Sequence, residues 1–136
     1  FSVGVLGDDD GETVVRFRPG IPLALRESLP KPFIVEWGFR SVNAKGLPAA
    51  DELSESEDFG SELCGSIEGQ GDALLAFIAT GNSVREWYFY CKDPVQLQER
   101  LNSLVLGKAL PIELHSGHDP AWCAYHDFTS AFASDA

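Results

Sequence analysis

Thr80 to Pro94 reads TGNSVREWYFYCKDP, and three structural signals sit inside it. Gly81-Asn82-Ser83 joins the apolar run Ala73 to Thr80, ALLAFIAT, to the β-prone run Val84 to Cys91. A three-residue link containing Gly-Asn between two such runs is a hairpin signal. In the second run Arg85, Trp87, Phe89 and Cys91 alternate with Val84, Glu86, Tyr88 and Tyr90, the period of a strand with two unlike faces. Asp93-Pro94 then opens a helix, because Asp can accept from the free first-turn amides and Pro suits the first helical position. Leu97, Leu101, Leu104 and Val105 recur at helical spacing before Gly107, so that helix has one apolar face.

Upstream, Phe33 to Arg40, FIVEWGFR, sets Phe33, Val35, Trp37 and Phe39 against Ile34, Glu36, Gly38 and Arg40, again a strand pattern. A helix is expected from about Ala49 to Glu68, with Leu53, Phe59, Leu63 and Ile67 as its apolar stripe. Glu52, Glu55, Glu57, Asp58, Glu62 and Glu68 fall mostly outside that stripe. Gly60 and Gly65 each weaken the helix by about 1 kcal/mol relative to Ala, and Gly69-Gln70-Gly71 ends it. Downstream, Leu110 to His115, LPIELH, reads as a short strand that Pro111 confines to an edge.

From Phe33 the order is strand, helix, strand, strand, helix, strand. That order points to an α+β, ferredoxin-like split βαβ sandwich, an antiparallel-rich sheet with two helices on the face carrying Trp37, Trp87 and Phe89. Ser2 to Leu6 and Glu12 to Arg18 flank an Asp-Gly step and form an N-terminal β-hairpin. Asp8-Asp9-Asp10 lacks the ligand spacing of an EF-hand calcium loop. Pro19 to Pro32 carries four prolines and is mostly connection, with one helical turn at Leu23 to Ser28. Asp119-Pro120 repeats the helix-start device, so a short C-terminal helix with Trp122 and Tyr125 follows, then a loose tail from Thr129. The whole is a single domain, 1–136: residues 1–31 are hairpin and connection, 32–116 the core, and 117–136 a C-terminal segment.

The 136 residues are 44% apolar and 23% charged, ordinary for one globular domain that buries roughly two-thirds of its unfolded surface. No apolar run approaches the ~20 residues that span a bilayer, so no membrane segment is expected. No signal peptide is visible, although a chain that opens at Phe1 and contains no Met is compatible with a removed leader. The net charge of −11 argues against a nucleic-acid partner, since phosphate binding needs clustered Lys and Arg. An acidic surface aids solubility and attracts basic partners. Cys64, Cys91 and Cys123 are odd in number with no CxxC pair, which favours free thiols in a reducing, cytoplasmic compartment over a disulfide scaffold. One bridge with one free thiol is the alternative.

VREWYFYCKDP at Val84 to Pro94, followed by DPAWCAYHDF at Asp119 to Phe128, resembles the bacterial family known as domain of unknown function 695. That family's pattern has a small turn, an aromatic strand like Arg85 to Tyr90, an acidic-Pro helix start like Asp93-Pro94, and a final Asp-Pro-x-Trp-x-x-Tyr like Asp119 to Tyr125. Gly46-Leu47-Pro48, ahead of the first long helix, also fits. The likeness spans about Phe33 to Phe128 and implies a fold without an activity. A similar strand-and-tail pattern occurs in type B regulators of ribonuclease activity, small acidic proteins that bind and inhibit a ribonuclease. That likeness implies a role as a protein inhibitor or regulator.

Chemistry is sparse. No GxSxG elbow, catalytic cysteine setting or phosphate-cradling glycine motif occurs, so an enzyme is not the expected reading. His115-x-x-His118 and Cys123-x-x-His126 offer zinc-compatible ligands, but the CxxC or HExxH frames are missing. The expectation is no metal and no cofactor. If Trp87 and Phe89 pack under the helices, Glu86, Tyr88 and Tyr90 face the other way, beside Glu36 and Arg40 of the neighbouring strand. Tyrosine supplies area with a polar tip, so such a face suits an interaction surface. The competing expectation is that Trp122, Tyr125 and Phe128 fold back and bury it, because exposed apolar patches are avoided. Arg85 has an equally plain alternative, an ion pair with Glu113 or another acid.

Two functional readings follow. In the first, the domain is a non-catalytic protein-binding or regulatory module that uses the tyrosine-bearing face or the acidic first helix. In the second, Arg85, Glu86, Tyr88 and Tyr90 line a small-ligand pocket or active site closed by the C-terminal segment. An immunity-type inhibitor of a basic toxin or nuclease is a third, narrower form of the first.

Overall fold

Nine elements follow one another in the computed structural model, which describes residues 2–8, 11–17, 21–40, 42, 48–68, 72–81, 83–108, 110–117, 119, 122, 123 and 125. They are β1 (Ser2–Asp8), β2 (Gly11–Phe17), α1 (Leu23–Ser28), β3 (Lys31–Gly38), α2 (Ala50–Glu68), β4 (Ala73–Gly81), β5 (Val84–Cys91), α3 (Pro94–Val105) and β6 (Ile112–Ser116). The strands make one sheet in the order β1-β2-β4-β5-β3-β6, with every neighbouring pair antiparallel. The molecule is an α+β sandwich. Its two strand–helix–strand units interleave: β5 lies between β3 and β4, and β3 lies between β5 and β6. The N-terminal hairpin extends the sheet by pairing β2 with the outer edge of β4.

The helices pack on the expected face. Trp37, Trp87, Phe89 and Cys91 are buried with Phe59, Leu63 and Ile67 of α2 and Leu97 and Leu101 of α3. Phe59 sits edge-on to Trp87 at 5.5 Å and tilted against Trp37 at 5.4 Å, geometry that aromatic quadrupoles favour. Asp93 caps α3 as its sequence demands, accepting from the Val95 amide at 3.0 Å with Pro94 behind it. Arg100 binds Asp72 through two 2.8 Å bonds and reaches the Ile67 carbonyl at 3.0 Å. One guanidinium thus joins α3 to the end of α2 and the entry to β4. It also holds the Asp72 carboxyl below the usual carboxylate range, chiefly by hydrogen bonding.

Three details depart from the sequence reading. The hairpin link between β4 and β5 is two residues, 82–83, because pairing continues to Gly81↔Val84; Ser83 takes φ of 70°, the left-handed conformation that tight hairpin links require. β3 stops at Gly38, and the Arg40 amide turns to the Glu52 carboxylate at 3.0 Å. Glu52 is consequently buried inside α2's contact face rather than outside the stripe. It receives the Arg40 amide and the Arg40 Nε together, and such charge-assisted bonds offset the loss of water. Lastly, a bulge between Leu75 and Phe77 shifts the register of β4. Leu75 faces the helices, whereas Ala76 and Phe77 both join the core on the opposite face.

The two helix glycines have different roles. A Cβ on Gly60 would lie 2.6 Å from Trp87 Nε1, whereas one on Gly65 meets nothing within 4 Å. Gly60 is therefore what lets α2 settle onto the Trp87 ring. Gly60→Ala should lower stability by about 1–3 kcal/mol through overpacking, reduced by the intrinsic helix gain. Gly65→Ala should raise stability by up to about 1 kcal/mol. Urea denaturation of the two variants checks the opposite signs.

Candidate functional site

Antiparallel register carries side chains into rows across a sheet, because residues directly opposite share a face. On the face away from α2 and α3, two adjacent rows follow from the pairing of β4, β5, β3 and β6. One runs Ala79–Glu86–Glu36–Glu113 and the next Phe77–Tyr88–Ile34–His115. Three carboxylates from three strands thus stand side by side, with a tyrosine and a histidine in the neighbouring row.

Part of this face is closed. Trp122 stacks on Tyr90 with ring centroids 3.9 Å apart and planes within 10°, and its Nε1 donates to the Leu29 carbonyl at 2.9 Å. Tyr90 donates its hydroxyl to Asp119 Oδ2 at 2.8 Å, while Asp119 Oδ1 accepts from the Cys123 amide at 2.9 Å. Tyr125 meets Trp122 edge-on at 5.6 Å. Trp122 adopts φ of 55°, a conformation that costs a bulky residue energy and persists only where surrounding contacts dictate it. The Tyr90 stack and the Leu29 bond supply those contacts. Tyr90 and Trp122 are fully buried, together with Val15, Leu29 and Phe77, and Ile21 is buried beside them.

The cover ends near Tyr88. That ring stacks on Phe77 at 4.4 Å and remains half-buried. Glu36 and Glu86 are also half-buried, and Glu113 and His115 are exposed. The sequence posed burial and openness as alternatives, and the sheet face takes both, divided between Tyr90 and Tyr88. A cavity of about 500 Å³ adjoins the open rows, walled by Glu36 and Glu113 with Gly38, Val84 and Pro111. Tyr88 is not part of its wall.

The expected site residues therefore separate. Glu36, Glu86 and Tyr88 come together on the open face. Tyr90, Trp122 and Tyr125 are core. Arg40 points to α2, 2.9 Å from Glu52 and 2.7 Å from Glu55, away from that face. Arg85 projects to the helix side with Trp87, its Cζ 5.6 Å from the indole centroid, and Glu113 is on the opposite face. Of the metal candidates, His118 and His126 lie outside the described residues, and Cys123 is exposed beside Trp122. His115 instead sits 3.1 Å from Glu36 and 3.9 Å from Glu113. Donor atoms of Glu36, Glu113 and His115 all fall within 4.8 Å of one another, a set that a divalent cation could use. Pairing of β6 beside β3 brings in His115 and Glu113, a partnership invisible in the spacing of either strand alone.

Electrostatics follow from the crowding. Burial, then Glu36, raises the Glu86 carboxyl above its ordinary value, with His115 acting in the opposite sense. Burial, then Glu86, also raises the Tyr88 hydroxyl. The Tyr90 hydroxyl is raised far above the ordinary phenol range by burial and by its bond to Asp119. Burial pushes the Cys91 thiol up to about 11, so that sulfur stays protonated and inert at neutral pH. Cys64, Cys91 and Cys123 are all free thiols.

The raised Glu86 pKa has a pH signature. A raised folded-state acid favours its protonated form, so stability is fullest below the unfolded carboxylate pKa of about 4.3. It is lost as pH rises from there through the folded value. Glu86→Gln, a neutral mimic, should raise the melting temperature at neutral pH and lose most of that advantage at about pH 4. An advantage independent of pH would contradict this account of Glu86.

One comparison with known proteins, a family model, agrees with the residue pattern. No curated protein and no solved structure matched the chain. The likeness to type B regulators of ribonuclease activity accordingly rests on residue pattern alone. A family model matches residues 8–130, from β1 through the C-terminal segment that carries Trp122 and Tyr125. The chain belongs to that family, the family of unknown function DUF695.

Proposed function

We propose that this domain binds a partner protein through the open half of its sheet, and that the partner presents a lysine- or arginine-rich segment there. The observation that carries the reading is the row Glu86–Glu36–Glu113 across three paired strands. Like charges directly opposite one another destabilise a sheet, each pair by up to about 1 kcal/mol. His115 Nε2 lies 3.1 Å from Glu36 in the middle of the row, while burial and then Glu36 hold the Glu86 carboxyl above its ordinary value. A cation brought by a partner removes that cost on binding.

The surroundings suit such a segment. The cavity beside the row has the apolar Val84 and Pro111 and the acidic Glu36 and Glu113 in its wall. An arginine or lysine lays its alkyl stem on apolar surface and presents its charge beyond it. Tyr88 adds contact area with a hydroxyl tip. The net charge of −11 steers a basic partner from a distance. A basic toxin or nuclease is one partner with this chemistry.

The acidic α2 is the rival docking face, with Glu55, Asp58 and Glu62 all exposed. Two triple variants of equal charge decide between them: E36Q/E86Q/E113Q on the sheet and E55Q/D58N/E62Q on the helix. Binding of a fluorescent Lys/Arg-rich peptide is followed by anisotropy. The sheet variant should bind about tenfold more weakly or worse, and the helix variant should stay near wild type. Equal losses, or a larger loss on the helix, would overturn the sheet face as the docking site.

A further inference from the structure

Arg85 is a buried cation that, among the described residues, has no counter-charge in contact. It is 5% exposed. Its Nη1 donates to Thr80 Oγ1 at 3.0 Å, and its Nε is buried with no hydrogen-bond partner. Among the described residues, the carboxylates of Glu52, Glu55, Glu62 and Asp72 pair with Arg40, Lys108 and Arg100, and none pairs with Arg85. A buried charge in this condition is costly; burial lowers its pKa, with Glu57 acting against that shift and Arg16 adding to it. The protein has about twice as many acidic as basic side chains, yet among the described residues Glu57 is the one carboxylate whose charge acts on Arg85, and the two make no ion-pair contact.

The space around Arg85 is concave. Two adjoining cavities of about 340 Å³ each share Arg16, Glu57 and Arg85 in their walls. They arise because β2 continues the sheet past β4 while α2 is seated over Trp87 by the close approach at Gly60. Register places Arg16 opposite Ile78, and Ile78 opposite Trp87, so Arg16 stands on the helix side of β2 and faces the flank of α2. The first cavity adds Ser61, Ile78 and Trp87 to the shared residues. The second adds Val14, Pro48 and Leu53, with Thr80, and is chiefly apolar.

We propose that this groove binds a small organic monocarboxylate, its carboxylate held between Arg85 and Arg16 and its apolar tail lying against Val14, Pro48 and Leu53. Two guanidiniums against one Glu57 carboxylate leave one positive charge to neutralise. That balance favours a singly charged anion over a phosphate dianion. Arg85 can turn its unused Nε–H and a guanidinium edge to a planar carboxylate, the geometry that forked recognition requires. The combined volume falls in the range of ordinary small-ligand sites. The site lies on the opposite side of the sheet from the Glu86–Glu36–Glu113 row, so it stands or falls independently of the docking surface.

Titration calorimetry of the full chain with hexanoate tests the proposal, with hexanamide and butyl phosphate as comparison ligands. Hexanoate should bind wild type and raise its melting temperature with concentration, as any native-state ligand does. Hexanamide should not bind, and butyl phosphate should bind more weakly than hexanoate. Arg85→Gln should weaken hexanoate by about thirtyfold or more. Arg16→Gln, at an exposed position of β2, should weaken it by about threefold. Glu57→Gln should narrow the preference for carboxylate over phosphate. If Arg85→Gln does not fold, Arg16→Gln and Glu57→Gln still decide. Absence of hexanoate binding at millimolar concentration, equal binding of the amide, a preference for the phosphate, or insensitivity to Arg16→Gln would each overturn the assignment.

Discussion

The pleat of β5 constrains everything else. The strand is central, paired with β4 on one side and β3 on the other, and both of its faces are put to use. Arg85, Trp87, Phe89 and Cys91 go to the helices, while Glu86, Tyr88 and Tyr90 go to the opposite face. A slip of one residue would exchange those sets, burying a glutamate under α2 and exposing an indole. The register is secured at one end by the tight link before Val84 and at the other by the Asp93 cap after Cys91. Between them Trp87 is pinned by Phe59 and by the bare Gly60 backbone.

The second face shows how a sheet too broad for its helices is finished. The sheet buries apolar residues on both faces, and α2 and α3 cover one of them. On the far side Ile21 and Leu29, which flank α1, and Trp122 and Tyr125 of the C-terminal segment close over Tyr90, Phe77 and Val15. The Tyr90–Trp122 stack, with Asp119 tying the Tyr90 hydroxyl to the incoming chain, is the anchor of that closure. The bulge in β4 contributes by turning Phe77 to this side, where it stacks on Tyr88. Beyond Tyr88 the rows become acidic, and acidic side chains keep water rather than an apolar cover. The boundary between core and open surface is therefore written in the composition of two adjacent rows.

Much of this was legible from the residues. Alternation in Phe33 to Trp37 and in Val84 to Cys91 assigns faces without any coordinates, and Asp93-Pro94 marks the start of α3 to the residue. Other features were not legible, for identifiable reasons. ALLAFIAT is apolar on both faces, so nothing in it marks Ala76 as a bulge. Glu52 is a charged residue in an acidic helix, and only the arrival of the Arg40 amide explains its burial. Gly60 and Gly65 look alike until the helix is set against Trp87. The acidic row needs β6 beside β3, a pairing between residues 36 and 113 that no local pattern encodes. The alternation did place Arg85 with Trp87, but its isolation depends on where α2 sits across the sheet, and that is a tertiary fact.

Opposite charges stand back to back at the centre of the sheet in a chain of net charge −11. Adjacent residues of one strand, Arg85 and Glu86, carry the contrast. Glu86 is crowded by a like charge, and among the described residues Arg85 has no opposite one within contact. Either situation would be relieved by exchanging partners, yet the pleat sends the two side chains to opposite sides of the sheet and forbids it. A fold selected only for stability would replace either residue by a neutral one at little steric cost. On the readings proposed above, the Glu86 side meets a partner's cation and the Arg85 side a ligand's carboxylate, and the alternation of one strand serves both.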